Sequence, residues 1–321
     1  MGAIGGAVAI VPYYYRQMDR EIRAEVQRRL AERFPQLQLT LGAVDFVEGE
    51  GIFVRHLRLF DPTCQAAQGE LLHIDELVLH CQQDLKELIE GELQVTKITI
   101  RRPMLRAIRR SDDSWGIEKL LRREQADQPP VETCVESATV EVRDPLNSPP
   151  SVLVLRDFNL VVVPQAAQGA QPMAGRLSAE SRYEFRGRFE GDHVRNVELA
   201  GFFDAATHQL GVGGKAEALQ LCPELRAALP QVLAEQLAIL PGLRAQADVQ
   251  FSLEGRLGTG QPWRYAVSGQ LFDGRLDDAR LPHPLTDIRA LFHADNLGVV
   301  LEELVANSNQ ATVRLSARLA G

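Results

Sequence analysis

Cysteine is scarce in this sequence, and the few that occur form no recognisable pattern. They lie at positions 64, 81, 134 and 222 of 321 residues, and no two have CxxC spacing. A disulfide framework in a chain of this length needs more cysteines. A zinc site would have to join Cys81 to the adjacent His80, and no second ligand cluster accompanies them. We therefore predict neither a metal nor another cofactor.

Positive charge and aromatic side chains are also in short supply. The chain holds 35 Lys and Arg against 43 Asp and Glu, a net charge of −8, which excludes nucleic acid as the main partner because phosphate binding needs a basic surface. Aromatic residues make up only 6%, so apolar surfaces consist mostly of Leu, Val, Ile and Ala. One local exception, from Lys97 to Arg123, is basic. It indicates either a solvated face or contact with anionic headgroups or an acidic partner.

A long hydrophobic run is missing as well. Gly2 to Val11 is apolar, and Pro12, three tyrosines and Arg16 follow it. This run is too short to span a bilayer, which needs about 20 residues. Tyrosines followed by an arginine are nevertheless typical of a membrane interface. We interpret residues 1–15 as a remnant or truncated membrane anchor; a short buried segment and a signal-peptide core are the alternatives.

Motifs for catalysis are absent from the sequence. There is no Gly-x-Ser-x-Gly and no HExxH. The run Gly211 to Lys215 lacks the spacing of a phosphate loop, and we interpret it as a hairpin turn. Ser111 to Ser114 is interpreted as a polar turn that caps a helix. We predict that the protein is not an enzyme.

What the sequence does contain is one amphipathic helix followed by many strands. Ile22, Val26, Leu30 and Phe34 recur every four residues and predict a lead-in helix over 16–35. From about residue 38 the period changes to two, which predicts antiparallel strands with one polar and one apolar face. Turn signals separate them at 49–51, 61–62, 144–145, 211–214, 258–260 and 273–274. Helical interruptions are predicted at 82–90, 116–125 and 223–239.

A pair of strands occurs twice in the sequence. Each copy has a strand that ends in Asp-Pro, at Asp61 and at Asp144, then a polar loop and a second strand. Ile74, Leu77 and Leu79 of the first copy correspond to Leu155, Phe158 and Leu160 at a constant offset of 81 residues. A repeated strand pair predicts an array that grows by adding strands and offers an extended surface.

Several segments together carry a family resemblance. They are 57–62, 71–79, the leucine-rich 88–95 with its Glu-Gly, 98–103 ending in Arg-Pro, and Asp113-Ser114-Trp115-Gly116, followed later by 241–243 and 267–274. In this order they resemble the AsmA-like superfamily, the AsmA- and TamB-related envelope proteins of Gram-negative bacteria. The resemblance covers most of the chain and is looser after residue 180.

The resemblance implies a fold and a place in the cell. The expected fold is mainly β with a few helices: an N-terminal helix and an elongated, curved antiparallel sheet that forms an apolar, β-taco-like groove. The expected sections are 36–125, a first groove section with helical interruptions, and 131–321, further groove repeats truncated at the C-terminus. The expected location is the inner membrane, with the chain facing the periplasm.

The resemblance also implies a function in lipid transport between membranes. The partners would be phospholipid or another acyl-chain lipid, the inner membrane, and envelope proteins, and the process would be outer-membrane biogenesis. The predicted groove-lining residues are Leu57, Leu59, Leu77, Leu79, Phe185, Phe189, Phe251, Leu253, Val313 and Leu315, and the weaker headgroup candidates are Arg101, Arg102 and Arg106. The alternative is a non-enzymatic assembly factor for outer-membrane proteins whose sheet closes into a sandwich.

Overall fold

Antiparallel strands dominate the fold. A computed structural model describes residues 22–64, 69–81, 94–112, 114–121, 131–165, 182–229, 242–257, 262–309 and 311–320. These residues form a mainly β structure with one open sheet of 15 strands in the order β1-β3-β4 and then consecutively to β15, while β2 pairs with β3. The strands divide between two compact units, Met1–Ile108 with Asp112–Ala138 (unit 1), and Arg109–Ser111 with Thr139–Gly321 (unit 2).

The described part of unit 1 starts with a helix and continues into the first strands. Its elements are α1 (22–33), β1 (Gln38–Thr40), β2 (Val44–Val47), β3 (Gly51–Phe60), β4 (Glu70–Cys81), β5 (Val95–Ile108), α2 (Glu118–Leu121) and the start of β6 (Glu132–Asp144). The described part of α1 lies within the predicted helix 16–35, and its Val26 is buried against Val44, Ile52 and Val54. The core of unit 1 therefore lies between α1 and the sheet.

Unit 2 is a run of long strands joined mostly by short turns. Its elements are β7 (Ser151–Gln165), β8 (Arg182–Gly191), β9 (Val194–Asp204), β10 (Gln209–Leu221), α3 (Pro223–Ala228), β11 (Leu243–Arg256), β12 (Arg264–Leu276), β13 (Leu285–Asp295), β14 (Gly298–Ser308) and β15 (Ala311–Ala320). From β7 to β15 each strand pairs antiparallel with the next. The strands predicted from the alternation of apolar and polar residues are confirmed as β8, β11 and β15.

The strands of unit 2 are interrupted by bulges. Asp157, Ala218, Asp273 and Asp287 have φ of 50°, 51°, 50° and 50°, in the left-handed region. Each lies at a shift in the register of its strand with a neighbour. A bulge adds a residue to one strand and bends it, and Asp tolerates the left-handed conformation better than most residues. The prediction of a turn at 273–274 is wrong, because these residues form a bulge within β12.

The prediction of a hairpin turn at Gly211 to Lys215 is also wrong. All five residues lie inside β10 and pair with both β9 and β11. The glycines of this run are explained by close neighbours and not by a turn. A Cβ at Gly214 would lie 2.3 Å from the Glu198 carbonyl oxygen and 2.8 Å from the Phe251 ring. Glycine in a strand marks a close approach of this kind.

Several other predicted features lie partly or wholly outside the described residues. The predicted anchor, 1–15, and the helix predicted at 82–90 lie outside them, as does the turn at 258–260. The helices predicted at 116–125 and 223–239 are represented by α2 and α3, with 122–130 and 230–241 outside the described residues. Among the helices that the structure describes, none has the length and apolarity to cross a membrane.

Candidate functional site

The strand register of unit 2 brings the predicted groove residues onto one face. In one row across the sheet, Phe185 pairs with Gly201, Gly201 with Val212, Val212 with Leu253, and Leu253 with Tyr265. Directly paired residues point their side chains to the same side of a sheet. The row therefore places Phe185 and Leu253, which are 68 positions apart in the sequence, on one surface with Tyr265.

Further rows extend this surface to the last strand. Phe251 pairs with Val267, and Phe189 pairs with Val197. The rows reach β15 through pairs such as Leu304 with Leu315 and Ala306 with Val313. We name this surface face A and define it by Phe185, Phe189, Phe251, Leu253, Tyr265, Val299, Val313 and Leu315. Eight strands spaced by about 4.8 Å extend face A over about 34 Å along the sheet, from β8 to β15.

Much of face A is open to solvent within unit 2. Leu253 is 36% exposed, Tyr265 44%, Val299 43%, and Leu315 52%. Soluble proteins rarely leave contiguous apolar side chains uncovered unless the surface binds something. The sequence analysis missed Tyr265 and Val299, although the same period-two alternation that selected Leu253 includes them.

Aromatic side chains are fitted into face A by glycines on the neighbouring strands. A Cβ at Gly201 would lie 2.6 Å from the Phe185 ring. Phe189 stacks on Phe158 with ring centroids 5.3 Å apart. The rings of Phe158, Phe185 and Phe189 are half-buried, whereas aliphatic side chains of β11 to β15 on face A are more exposed.

The opposite side of the same strands is charged. Lys215 Nζ lies 3.1 Å from the Glu198 carboxylate, and Gln209 donates a hydrogen bond of 2.7 Å to Glu254. Hydrogen bonding to Glu198 raises the pKa of Lys215. Phe202 is the one large aromatic residue on this side of β9. The Arg182 guanidinium covers its ring and lies 4.1 Å from the ring centroid. A face on which polar and opposite charged groups pair in this way is compatible with exposure to water.

In unit 1 the predicted groove residues are covered by the protein itself. Leu57, Leu59 and Leu77 are 3%, 1% and 8% exposed, and Leu79 packs against the same core. Leu57 and Leu77 lie in the cluster with Val26 of α1. Leu59 lies with Leu37 and Leu71, next to Leu120 of α2. The structure thus places these four residues in two apolar clusters of unit 1 and leaves none of them on an open apolar surface.

The three headgroup candidates in β5 all carry ion pairs with acidic side chains. Arg101 Nη1 donates to Glu76 at 2.6 Å, and its Nε donates to Glu136 at 3.2 Å. The Glu76 hydrogen bond raises the pKa of Arg101. In the remaining pairs, Arg102 bonds Asp75 at 2.9 Å and Arg106 bonds Glu70. An anionic headgroup at this site would have to compete with these carboxylates.

Neither a protein-family model nor a curated protein matches this chain. The resemblance to the AsmA-like superfamily therefore stays a prediction from the motif order. Of the segments that carry it, 57–62 and 71–79 lie on β3 and β4 and the connection after β3, and 98–103 lies on β5. Most of the leucine-rich segment 88–95 lies outside the described residues.

Proposed function

We propose that the protein binds phospholipid or another acyl-chain lipid along face A, which lines an apolar groove formed by successive strands. The observation that carries the proposal is the row from Phe185 to Tyr265, in which residues far apart in the sequence form one surface that includes exposed apolar side chains. An acyl chain on such a surface gains about 0.8 kcal/mol for each CH₂ removed from water. A lipid that leaves a membrane loses the apolar surroundings of its acyl chains. Binding to face A compensates for this loss only if face A covers most of each chain.

Binding of this kind depends on continuous area and little on the identity of any one side chain. Leu253, Val299 and Leu315 offer no hydrogen bond and no charge to a ligand, so they hold a chain without fixing its position. A lipid can then slide between equivalent rows. The proposal includes no catalytic residue, because movement of a lipid along such a surface breaks no covalent bond.

The cellular role in the proposal comes from the resemblance to the AsmA-like superfamily. In this proposal the chain is anchored at the inner membrane and faces the periplasm of a Gram-negative envelope. There it would conduct phospholipid between membranes during outer-membrane biogenesis. Fractionation of cells that express the full-length gene tests this location independently of lipid binding.

The test of lipid binding uses a charge placed on face A. A glutamate at Leu253 would lie among Val212, Tyr265 and the acyl chain, where an uncompensated charge is costly. We expect Leu253→Glu to reduce cross-linking to a phospholipid that carries a photoactivatable acyl chain by at least tenfold. The matched control is Ser252→Glu, since Ser252 is the exposed neighbour on the charged side of β11, and it should cross-link like the wild type.

Equal cross-linking of Leu253→Glu and wild type would refute lipid binding on face A. Native mass spectrometry of the purified chain separates the proposal from the assembly-factor alternative. Co-purified phospholipid supports the proposal, whereas a lipid-free chain with a closed apolar core supports the assembly factor. The described strands all belong to one sheet, so the second sheet of a sandwich is not among them.

A further inference from the structure

Three ligand-type side chains of unit 1 converge where β3 and β4 pair. One ligand atom each from His56, His73 and Asp75 lies within 4.8 Å of the others. Local motif spacing does not predict this group, because its two histidines are far apart in the chain. His56 and His73 are 17 positions apart and come together only through the strand pairing.

The pairing of β3 with β4 explains why these residues meet. Arg55 pairs with Glu76 and Leu57 with Ile74, so His56 lies opposite Asp75. His73 and Asp75 are two residues apart on β4, the spacing that puts strand side chains on the same side. His56 has φ of 53°, which turns the backbone of β3 at this position.

The imidazole of His73 provides a second, independent observation. Its Nε2 is buried and has no hydrogen-bond partner among the residues that the structure describes. A buried polar atom without a partner is costly and needs an explanation. Asp75 Oδ1 lies 3.5 Å from this nitrogen, which is too far for a normal hydrogen bond.

Asp75 is oriented by a residue of the next strand. Arg102 of β5 donates from Nε to Asp75 Oδ2 at 2.9 Å. This bond leaves Oδ1 directed toward His73. Carboxylates that bind metals are commonly held by such an outer hydrogen bond.

We propose that His56, His73 and Asp75 bind a Zn²⁺ ion. Zinc prefers imidazole nitrogen and carboxylate oxygen at about 2.0–2.2 Å, which separates neighbouring ligands by about 3.4 Å. The 3.5 Å between His73 Nε2 and Asp75 Oδ1 matches that separation. The metal accepts the lone pair of Nε2 and so gives the buried nitrogen its partner. Three protein ligands leave a fourth position for water, and the exposed side chain of His56 gives the group contact with solvent.

Isothermal titration of the untagged, full-length chain with Zn²⁺ tests the site. We expect one ion per chain, with affinity reduced at least tenfold in His56→Asn and in His73→Gln. Asparagine is chosen at 56 because it tolerates the left-handed backbone. Asp75→Asn is a third variant that keeps the size of its side chain and should bind as weakly.

The matched control lies on β13 of unit 2. His293 and Asp295 have the same two-residue spacing, with 3.6 Å between Nε2 and Oδ2, and no third ligand joins them among the described residues. His293→Gln should therefore bind Zn²⁺ like the wild type. Wild type without a bound ion, or undiminished binding in both His56→Asn and His73→Gln, would overturn the proposal; the latter result would place the ion elsewhere in the chain. Far-ultraviolet circular dichroism checks that each variant is folded.

Discussion

At the scale of single residues, the two Asp-Pro turns of the repeated strand pair share one construction. Asp61, after β3, and Asp144, at the end of β6, are 1% and 0% exposed. Each accepts a hydrogen bond from the backbone N–H two residues further on, Thr63 at 3.0 Å and Leu146 at 3.1 Å. This is the Asx turn that Asp favours. The two Asp-Pro turns of the sequence repeat thus have the same local structure.

Each of these aspartates also has a basic partner that comes from elsewhere in its own unit. Lys119 of α2 lies 2.7 Å from Asp61, and Arg109 lies 2.9 Å from Asp144. The basic side chains are largely buried too, at 19% and 15% exposure. A buried charge that is paired and hydrogen-bonded is tolerated, but removing one partner is costly.

We predict that Asp144→Asn destabilises the protein by about 2–3 kcal/mol, because the Arg109 charge loses its carboxylate in a buried setting. Urea unfolding measures the change. The control is Asp192→Asn, at the exposed pair of Arg156 and Asp192, whose side chains are 51% and 47% exposed. Its loss should cost less than about 1 kcal/mol. An equal loss of unfolding free energy in the two variants would show that burial does not determine how much the Asp144–Arg109 pair stabilises the protein.

At the scale of elements, β10 shows what periodicity conveys and what it does not. The run Gly211-Val212-Gly213-Gly214 predicts a turn because glycine is the usual turn residue. In the structure it is strand, since the neighbouring strands supply large rings that fill the space over the glycines. Phe251 on β11 covers Gly214, and Phe202 on β9 covers Gly211. Such pairing across strands is long-range, so the local sequence does not contain it.

The two adjacent glycines of β10 give a sharp test of this explanation. A Cβ at Gly214 would meet the Glu198 carbonyl oxygen at 2.3 Å, whereas a Cβ at Gly213 has its nearest neighbour at 3.6 Å. We predict that Gly214→Ala destabilises the protein by about 1–3 kcal/mol through overpacking. Gly213→Ala should change stability by less than about 1 kcal/mol, since alanine fits there and restricts the unfolded chain.

Thermal or urea unfolding of both variants decides the point. Similar stability of the two variants would mean that both the Phe251 ring and the β9 backbone at Glu198 move aside without cost. A more stable Gly213→Ala would agree with the prediction, because a glycine without a close neighbour is replaceable.

The same contrast between local and long-range information governs the candidate site. Phe185, Leu253 and Leu315 lie on strands, as period two predicts, because alternation is a property of the strand itself. Their common face follows from the register between strands. Period two does not show that Leu57 and Leu77 are covered, because the cover is α1, which precedes them in the chain and packs on them only in the fold. Nor did it find His56 beside Asp75, which depends on the register of β3 with β4.

At the scale of the whole molecule, charge works against attraction to anionic membranes. The chain carries a net charge of −8. The basic residues of β5 that could offset it locally are held by carboxylates, as with Arg101 between Glu76 and Glu136. The surface that binds acyl chains in the proposal has no charge of its own. Lipid uptake should therefore be governed by apolar contact, with electrostatics as a modest opposing force.

This balance predicts how uptake depends on headgroup and salt. At about 0.01 M salt, where charges act over about 30 Å, the purified chain should take up a fluorescent-acyl phospholipid more slowly from phosphatidylglycerol vesicles than from phosphatidylcholine vesicles. At about 1 M salt, where the range falls to about 3 Å, the two rates should converge. Fluorescence dequenching follows the transfer. Faster uptake from the anionic vesicles at low salt would instead mean that Arg101, Arg102 and Arg106 leave their carboxylates to bind headgroups, and their replacement by glutamine would then remove the advantage.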